Sequence, residues 1–336
     1  MTSAAKIGVI GGGAWGTALA VVAINAGADT KIWARDAAAI KSINKMKENK
    51  RYLPGVNLPS QLIAVDDFDQ LSECDVLLIV IPTQQLRIVY AELMKYWPAE
   101  KPLVLCAKGI EQRTGQLPAE TIRDVRGDQV IAALSGPSFA MDVVAGKPTA
   151  VTLASNTMKL SQSLCQLFAS PLFRPYASDD LIGVEVGGAL KNVTAVCCGI
   201  AAGSGLGASA GAALMARGFS EMVRFGVAYG AEAETFMGLS GFGDLVLTCS
   251  SQKSRNFSFG FGLGAKELSI DDALEGRIPL AEGAFTARIA ASTARAKNLD
   301  LPILQTVSDI LDRKIEIDAA IHRLLDRPLK TEKLQA

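Results

Sequence analysis

Lys191 stands alone in a long apolar stretch and is a candidate for proton transfer. The nearest acid before it is Glu185, the next charge after it is Arg217, and no acid lies at the helical spacing that would pair with it. An ammonium group in apolar surroundings has a lowered pKa, which suits a residue that gives a proton to a carbonyl oxygen and later retrieves it. The alternative is a structural lysine at a helix edge whose ammonium reaches solvent.

A second candidate group follows along the chain. Asp244 lies at the end of a glycine-rich segment that predicts a sharp loop, and Ser254, Arg255 and Asn256 come soon after it. An aspartate in such a loop can orient a catalytic lysine, and an arginine with polar neighbours at a helix start can hold a phosphate. Taken singly, Asp244 is also a common turn residue and Arg255-Asn256 an ordinary helix start.

The elements that must position these groups begin with an apolar strand that runs through glycines into an alanine-rich helix. Gly11 allows a tight turn, Gly13 lets the backbone approach a pyrophosphate, and Gly16 lets the helix pack closely on the sheet. The first-turn amides, around Ala14 and Trp15, and the helix dipole then face the anion. The run predicts a dinucleotide site, against the alternative of a glycine-rich turn without a ligand. The Trp15 ring either covers the cofactor or is buried in packing.

The next predicted strand, Thr30–Trp33, is followed by two residues that bear on the choice of dinucleotide. An arginine at this place, Arg35, can pair with the 2′-phosphate of NADP, whereas an acid, Asp36, can accept a hydrogen bond from the 2′-hydroxyl of NAD. The two residues favour different cofactors, and Arg35 can also be an ordinary solvated arginine. The sequence therefore predicts NADPH or NADH without choosing between them.

Lys108 and the single histidine, His322, are the remaining candidates. Lys108 follows an apolar run at the predicted ligand-facing edge of the sheet and is either a ligand contact or a solvated loop lysine. His322 lies in a C-terminal helical segment far from every glycine loop and is interpreted as a helix-face residue. A hydride-transferring enzyme built on this chain would therefore move its proton with a lysine or a carboxylate.

The order of strands and helices predicts an α/β fold, with an N-terminal doubly wound, Rossmann-type parallel sheet followed by an all-helical C-terminal domain. Continuous apolar runs separated by helical patterns are typical of a parallel sheet buried on both faces. The predicted strands are Lys6–Ile10, Thr30–Trp33, Asp75–Ile81, Leu103–Cys106, Val130–Leu134, Ala150–Ala154 and Arg174–Tyr176. The predicted helices of the second part are Leu181–Ala201, Ser209–Tyr229, Asp271–Leu274, Thr286–Ala296, Ile303–Leu311 and Ile317–Leu325, and the residues from Pro328 onward are predicted to be frayed.

Length and composition support two domains and exclude some classes of partner. A chain of 336 residues exceeds one usual core, so we predict a dinucleotide-binding domain over 1–180 and a helical substrate and dimerisation domain over 181–336. Lysine plus arginine equals aspartate plus glutamate, 34 each, so no long-range field favours nucleic acid or a membrane surface. The six cysteines form no C-x-x-C pair and indicate reduced cytosolic thiols, with no metal site. No targeting or transmembrane segment is predicted.

Five motifs in order give the chain a close resemblance to the NAD(P)-dependent glycerol-3-phosphate dehydrogenase family of the bacterial type. The resemblance covers nearly the whole length, and the motifs are Gly11–Ala20, Ala107–Glu111, Leu134–Ala140, Gly188–Asn192 and Gly241–Leu245 through Ser254–Asn256. It implies reduction of dihydroxyacetone phosphate to sn-glycerol 3-phosphate, the precursor of membrane glycerophospholipids, by a cytoplasmic homodimer that uses NADPH or NADH.

The resemblance also implies roles for individual residues. Lys191, oriented by Asp244, protonates the C2 oxygen of the ketone while the nicotinamide delivers hydride to C2. The implied substrate site consists of Lys108, Gly136, Ser138, Lys191, Asp244, Ser254, Arg255 and Asn256. The implied cofactor contacts are Gly11, Gly13, Ala14, Trp15, Gly16, Arg35, Lys108, Ala140, Arg255, Leu280 and Glu282, of which Glu282 matches the family pattern most loosely.

Two other functions compete with this one. A β-hydroxyacid dehydrogenase of the 3-hydroxyisobutyrate or 6-phosphogluconate type shares the early glycines and a lysine on the junction helix, but it needs a carboxylate-binding group. A nucleotide-sensing module would keep the glycine loop without turnover, and it would have no need for Lys191, Asp244 and Arg255 together.

Overall fold

The computed structural model describes residues 4–326, and the chain divides into two compact units. The first consists of the residues up to Ala107 together with Pro118–Leu181, and the second of Lys108–Leu117 together with the residues from Ile182 onward. Lys108 therefore belongs to the second unit, although the strand before it belongs to the first. The predicted frayed tail from Pro328 lies outside the described residues.

One eight-stranded sheet forms the centre of the first unit. Its spatial order is β3-β2-β1-β4-β5-β6-β7-β8, which begins with the 3-2-1-4-5-6 order of a doubly wound dinucleotide fold and confirms the predicted fold class. The strands are β1 (Lys6–Ile10), β2 (Asp29–Trp33), β3 (Ile63–Val65), β4 (Val76–Ile79), β5 (Leu103–Leu105), β6 (Ile131–Ser135), β7 (Thr149–Ser155) and β8 (Phe173–Ser178).

The sheet departs from the prediction at one pair and one strand. Strands β6 and β7 are antiparallel, while the other pairs are parallel. The connection between them holds only a five-residue helix, Ala140–Val144, which is too short to lead the chain back along the sheet as a crossover helix does. Strand β3 was not predicted, because three residues give almost no periodic signal.

Helices flank the sheet and bury its apolar strands. They are α1 (Ala14–Asn25), α2 (Ala37–Lys41), α3 (Leu86–Leu93), α4 (Pro118–Val125), α5 (Ala140–Val144) and α6 (Met158–Phe168), with shorter helical turns at Ser42–Met46, Asp69–Leu71 and Thr83–Gln85. The ends of β1, β2 and β4 are in register, Ile10 pairing with Trp33 and with Ile79. The turns that follow these strands therefore lie at one edge of the sheet.

Every regular element of the second unit, within the described residues, is helical. These are α7 (Leu181–Gly203), α8 (Gly207–Val227), α9 (Asp244–Cys249), α10 (Arg255–Gly264), α11 (Ile270–Leu274), α12 (Glu282–Ala296), α13 (Pro302–Leu311) and α14 (Ile317–Leu325), with helical turns at Ala233–Met237 and Leu239–Gly243. Helix α7 is long and apolar enough to cross a membrane, but 94% of its most apolar window is buried within the protein. It is the core helix of its unit.

Helices α7 and α10 touch backbone to backbone. A Cβ atom added at Gly199 or Gly203 of α7 would lie 2.1 Å from the Phe257 carbonyl oxygen or 2.2 Å from that of Phe261. Reciprocally, a Cβ added to the α10 glycines would lie 2.1–2.2 Å from carbonyl oxygens of α7. The interlocked glycines of the two helices, which we call the α7–α10 crossing, are Gly199, Gly203, Gly260 and Gly264.

All six cysteines are free thiols buried in the two units. Burial raises the pKa of Cys74 and of Cys165 to about 11. Such thiols are protonated near neutral pH and are poor nucleophiles, as expected of packing residues.

Candidate active site

Three charged side chains meet in the second unit, two lysines sharing one aspartate. The Lys191 ammonium donates to Asp244 Oδ1 at 2.6 Å, and the Lys108 ammonium donates to Asp244 Oδ2 at 2.7 Å. The Asp244 side chain is 1% exposed and that of Lys191 is 9% exposed. Two ammonium groups and one carboxylate leave the cluster with a net positive charge, which suits an anionic ligand.

A threonine completes the surroundings of the Lys191 ammonium. Thr248 Oγ1 accepts from Lys191 Nζ at 3.0 Å and donates its own proton to the backbone carbonyl of Asp244 at 2.6 Å. Asp244 and Thr248 are one helical turn apart on α9, so both face Lys191. These two acceptors use two of the three N–H bonds of the ammonium, and among the described residues the third remains for a substrate oxygen.

Glycines allow Asp244 to reach Lys191. A Cβ atom at Gly187, one turn before Lys191 on α7, would lie 2.6 Å from the Ser240 carbonyl oxygen, so only glycine admits the turn Leu239–Gly243 here. That turn is a short π-helix that runs directly into α9, with Asp244 as the first residue of α9. The predicted sharp loop before Asp244 is therefore wrong, because the glycine-rich run adopts a helical turn.

Lys108 reaches Asp244 because the segment Lys108–Leu117 is anchored in the hydrophobic core of the second unit. Ile110 and Leu117 are 1% and 2% exposed and belong to the hydrophobic cluster around α7. Between them the backbone turns through a hydrogen bond from Glu111 N–H to the Gln116 carbonyl at 2.9 Å. The contact of Lys108 with Asp244 favours the predicted ligand contact over a solvated loop lysine.

Burial and charge set the protonation of this cluster. Burial lowers the pKa of Lys191 to about 8, since the attraction of Asp244 only partly offsets the loss of water. Burial acts on the pKa of Asp244 in the raising direction, but the ammonium groups of Lys108 and Lys191 outweigh it, and that pKa lies below its usual value. Near neutral pH the cluster therefore holds an ionised carboxylate and a lysine able to release its proton.

Asn256 joins three helices of the second unit. Its Nδ2 donates to Asn192 Oδ1 at 2.9 Å, and its Oδ1 accepts from the Gly283 N–H at 2.8 Å. Asn192 adjoins Lys191 on α7, and Gly283 follows Glu282 at the start of α12. The amide of Asn256 therefore fixes these helix segments relative to each other.

The other predicted residues of the second unit lie at helix starts. Ser254 caps α10, accepting from the Phe257 N–H at 3.3 Å, and Arg255 is the exposed first residue of that helix. The helix start predicted here is confirmed. Glu282 is the half-buried first residue of α12. Leu280, two residues earlier, packs against the hydrophobic cluster of the unit.

The glycine loop of the first unit has the backbone that a pyrophosphate requires. Gly11 has φ +130° and a Cβ there would lie 2.3 Å from the Val80 carbonyl oxygen, while a Cβ at Gly16 would lie 1.9 Å from that of Gly11. A Cβ at Gly13 meets nothing within 4 Å, and no side chain caps α1 at this position. The amides of Ala14 and Trp15 follow in the first turn. These residues fit a dinucleotide held at the start of α1.

Trp15 is on α1 and Ala140 begins α5, and these two helices of the first unit contact each other. Both are half-buried and pack against its hydrophobic cluster. Within the described residues, the buried Nε1 of Trp15 has no hydrogen-bond partner. The Trp15 ring thus packs against the hydrophobic cluster, one of its two predicted roles, and keeps an unused donor.

Asp36 already uses both of its carboxylate oxygens. Oδ1 accepts from the Ala38 N–H at 2.9 Å as the cap of α2, and Oδ2 accepts from Arg51 at 2.8 Å. Arg51, followed by the Ala38 N–H, lowers the pKa of Asp36. Arg35 beside it is exposed. The acid that favoured NAD in the sequence is therefore engaged within the protein.

Gly136 and Ser138 form a tight turn after β6. Gly136 has φ +149°, and a Cβ there would lie 2.8 Å from Val151 Cα, so the position requires glycine. Ser138 Oγ donates to the Gly136 carbonyl at 3.1 Å. Both residues thus lie at the carboxyl end of a sheet strand, where such folds bind their ligands.

Sequence reasoning missed Thr248, Asn192 and the buried Asn49 of the first unit. Thr248 shows its relation to Asp244 only once α9 is known to be a helix. Asn192 follows Lys191 directly, and that proximity was a usable signal. Asn49 lies among lysines in a segment typical of solvated surface.

Comparison with known proteins covers both units. Family models described as NAD-dependent glycerol-3-phosphate dehydrogenase N-terminus and C-terminus match residues 6–161 and 180–322. The chain is 52% identical over 328 residues to an NAD(P)+ glycerol-3-phosphate dehydrogenase of Beijerinckia indica, covering 97% of each chain. A similar relative from Sphingopyxis alaskensis is 47% identical over 99% of each chain. The crystal structure of glycerol-3-phosphate dehydrogenase from Coxiella burnetii matches with a TM-score of 0.90 at 34% identity, over 96% of this chain and 99% of that one.

Proposed function

The chain belongs to the NAD-dependent glycerol-3-phosphate dehydrogenase family, and from this premise we propose that it reduces dihydroxyacetone phosphate to sn-glycerol 3-phosphate with Lys191 as proton donor. The observation that carries the proposal is the buried Lys191 ammonium, held 2.6 Å from Asp244 Oδ1 and 3.0 Å from Thr248 Oγ1. A ketone oxygen that accepts the third N–H of this ammonium is also placed to take its proton.

The chemistry divides between the cofactor and the chain. Bound NAD(P)H would supply the hydride, one proton with two electrons, that C2 of the ketone receives. Lys191 supplies the proton that the C2 oxygen needs, and a pKa of about 8 lets it be charged before the step and accept a proton from solvent afterwards. Asp244 keeps the ammonium in place and charged, and Thr248 accepts its second N–H, which leaves the third N–H for the ketone oxygen.

Lys108, Arg255 and the amides around Arg255 are the groups that we assign to the substrate phosphate. Arg255 stands exposed at the start of α10, where its guanidinium and the helix dipole both favour an anion. Lys108 adds positive charge beside Asp244. Binding energy from the phosphate would then hold C2 in place for reaction, which favours this function over a β-hydroxyacid dehydrogenase.

We propose a preference for NADPH over NADH. It is supported by Asp36, whose oxygens are bound to Ala38 and Arg51, and by the exposed Arg35 beside it. Replacing Arg35 with alanine should weaken NADPH binding by about tenfold or more and leave NADH binding nearly unchanged. Equal losses for both cofactors would contradict this assignment.

The direct test follows nicotinamide absorbance while the protein meets dihydroxyacetone phosphate with NADPH or NADH. Unphosphorylated dihydroxyacetone and 3-hydroxyisobutyrate with the oxidised cofactor are the controls. Fast oxidation that depends on the phosphate supports the proposal. Tight NADPH binding without ketone-dependent oxidation would support the sensing module, and turnover of the hydroxyacid would support the rival dehydrogenase.

We also propose that the protein supplies glycerophospholipid precursors, that it is cytoplasmic, and that it forms a homodimer through the helical part of the chain. Family membership supports the first, and the six buried free thiols are consistent with a reducing compartment. Light scattering after size-exclusion chromatography tests the dimer, which a monomer at micromolar concentration would overturn.

A further inference from the structure

Asn49 is fully buried and reaches the glycine loop from far along the chain. Its side chain is 0% exposed, and Nδ2 donates to the Gly12 carbonyl at 2.9 Å and to Thr17 Oγ1 at 2.8 Å. Gly12 is the middle glycine of the loop and Thr17 lies in the first turns of α1. One amide group therefore connects the loop to the helix that follows it.

The bond to Gly12 determines where the next amide points. The Gly12 carbonyl and the Gly13 N–H belong to one peptide plane, and in a trans peptide the two groups point in opposite directions. Because Asn49 holds the carbonyl toward the buried interior, the Gly13 N–H points away from Asn49. A Cβ at Gly13 would meet no atom within 4 Å, so there is open space beside this residue.

The loop has few other means of fixing this peptide. The Gly11 N–H is already bound to the Trp33 carbonyl at 3.0 Å, and the Gly13 carbonyl accepts the first helical bond from Thr17 N–H at 3.0 Å. A peptide between two glycines is intrinsically free to rotate, since neither residue carries a Cβ. Without Asn49 the Gly12 carbonyl would lose the side-chain donor that holds the Gly12–Gly13 peptide in place.

We propose that Asn49 is a positioning residue for cofactor binding: it orients the Gly12–Gly13 peptide so that the Gly13 amide faces the pyrophosphate of the dinucleotide. This inference rests on the proposed function, which assigns the loop to NAD(P)H. The pyrophosphate is common to NADH and NADPH, so Asn49 supports both cofactors equally and has no part in choosing between them.

The test compares Asn49→Asp with the wild-type protein. The two side chains have nearly the same shape, but an ionised carboxylate cannot donate to the Gly12 carbonyl, and Asn49→Ala, which has no donor in any protonation state, is measured beside it. We expect the dissociation constants of NADPH and NADH, measured by calorimetry, to rise by about tenfold or more and by the same factor. At saturating cofactor, kcat and the KM for the ketone should stay within about threefold of wild type.

The matched control is Asn44→Ala in the same segment. The Asn44 amide bonds both backbone groups of Ala64 at 2.8 Å, so this variant loosens the segment without touching the glycine loop. It should keep near wild-type affinity for both cofactors. If it weakens them as much as Asn49→Asp does, the effect is general loosening and the proposal is overturned.

Other outcomes are equally decisive. Folded Asn49→Asp and Asn49→Ala variants that both keep wild-type affinity overturn the role of Asn49 while leaving the proposed function intact. If the aspartate variant does not fold, Asn49→Ala, which removes the donor without adding charge, takes its place under the same criteria. A wild-type protein that binds neither cofactor overturns the proposed function itself, and the role of Asn49 with it.

Discussion

The Lys191 ammonium experiences opposing influences from its surroundings. Burial makes the charged form costly, whereas Asp244 at 2.6 Å stabilises it, and the balance leaves a pKa of about 8. Lys108 shares the same carboxylate through the other oxygen. A second cation near Lys191 therefore keeps it more acidic than a simple ion pair would allow.

Replacing Lys191 with methionine tests its role as proton donor. Methionine keeps most of the packing, and Asp244 retains Lys108 as a partner, so the variant should fold. Turnover should fall by about two to four orders of magnitude, the usual size of a general-acid contribution. Steady-state kinetics measures this loss, and NADPH calorimetry should show an affinity within about twofold of wild type. Turnover close to wild type would rule out Lys191 as the donor.

The pH profile should follow the protonation of Lys191. Ketone reduction needs the ammonium, so kcat/KM should decline by about tenfold per pH unit above the pKa of about 8. Oxidation of the alcohol needs the neutral amine and should rise over the same range. Because Asp244 raises the pKa of Lys191, Asp244→Asn should move both limbs to lower pH. Profiles that stay flat up to the denaturation limit would contradict this assignment.

At the scale of elements, the α7–α10 crossing fixes the helix that carries Lys191 against the helix that starts with Arg255. The added Cβ atoms at its glycines would meet backbone, which cannot move aside as the end of a flexible side chain can. Such contacts make the crossing intolerant of any larger residue.

Gly199→Ala should therefore destabilise the protein by about 1–3 kcal/mol, and more if the helices cannot separate. Gly211→Ala is the matched control, since Gly211 lies in α8 where an added Cβ meets nothing within 4 Å. That substitution should stabilise the helix by up to about 1 kcal/mol. Urea unfolding of the two variants measures both effects, and a Gly199→Ala variant as stable as wild type would show that the crossing is loose.

Elements with a strong local pattern were predictable from sequence. Strand β1 and helix α14 have the predicted bounds, because an apolar run ended by glycine and a clear amphipathic period leave no ambiguity. The Lys191–Asp244 pair was anticipated from an unpaired lysine and a family motif. The turn Leu239–Gly243 was not, since glycines lower helix propensity and the turn depends on close packing with distant residues such as Gly187. No sequence pattern indicated Asn49, because its hydrogen-bond partners are the Gly12 carbonyl and the Thr17 hydroxyl, both far from it along the chain.

At the scale of the whole molecule, stability depends on the protonation of a buried carboxyl group that the proposed reaction does not use. Glu221 is 4% exposed and accepts hydrogen bonds from the N–H groups of Ile303 and Leu304 at 2.7 and 3.0 Å, at the start of α13. Burial raises the pKa of Glu221 to about 7, although these two N–H groups act in the lowering direction. The folded protein therefore binds this proton more tightly than the unfolded chain does.

The free energy of unfolding should consequently fall as pH rises. The contribution of Glu221 is fully present below its ordinary pKa of 4.5 and is lost as pH rises through about 7. The loss is on the order of 3 kcal/mol. Urea unfolding across this range should show a flatter dependence for Glu221→Gln than for wild type. Parallel curves for the two proteins would mean that Glu221 titrates normally in the folded state.

The α7–α10 crossing also has an evolutionary consequence. Ordinary core substitutions change side-chain volumes, and helices that meet through side chains shift apart as those volumes drift. Helices that meet through their backbones have no side chains between them whose volumes could change, so we expect their separation to stay the same while other core residues are substituted. The spacing between Lys191 and Arg255 should therefore tolerate extensive divergence of the surrounding core. The same design concentrates mutational fragility in the four glycines of the α7–α10 crossing.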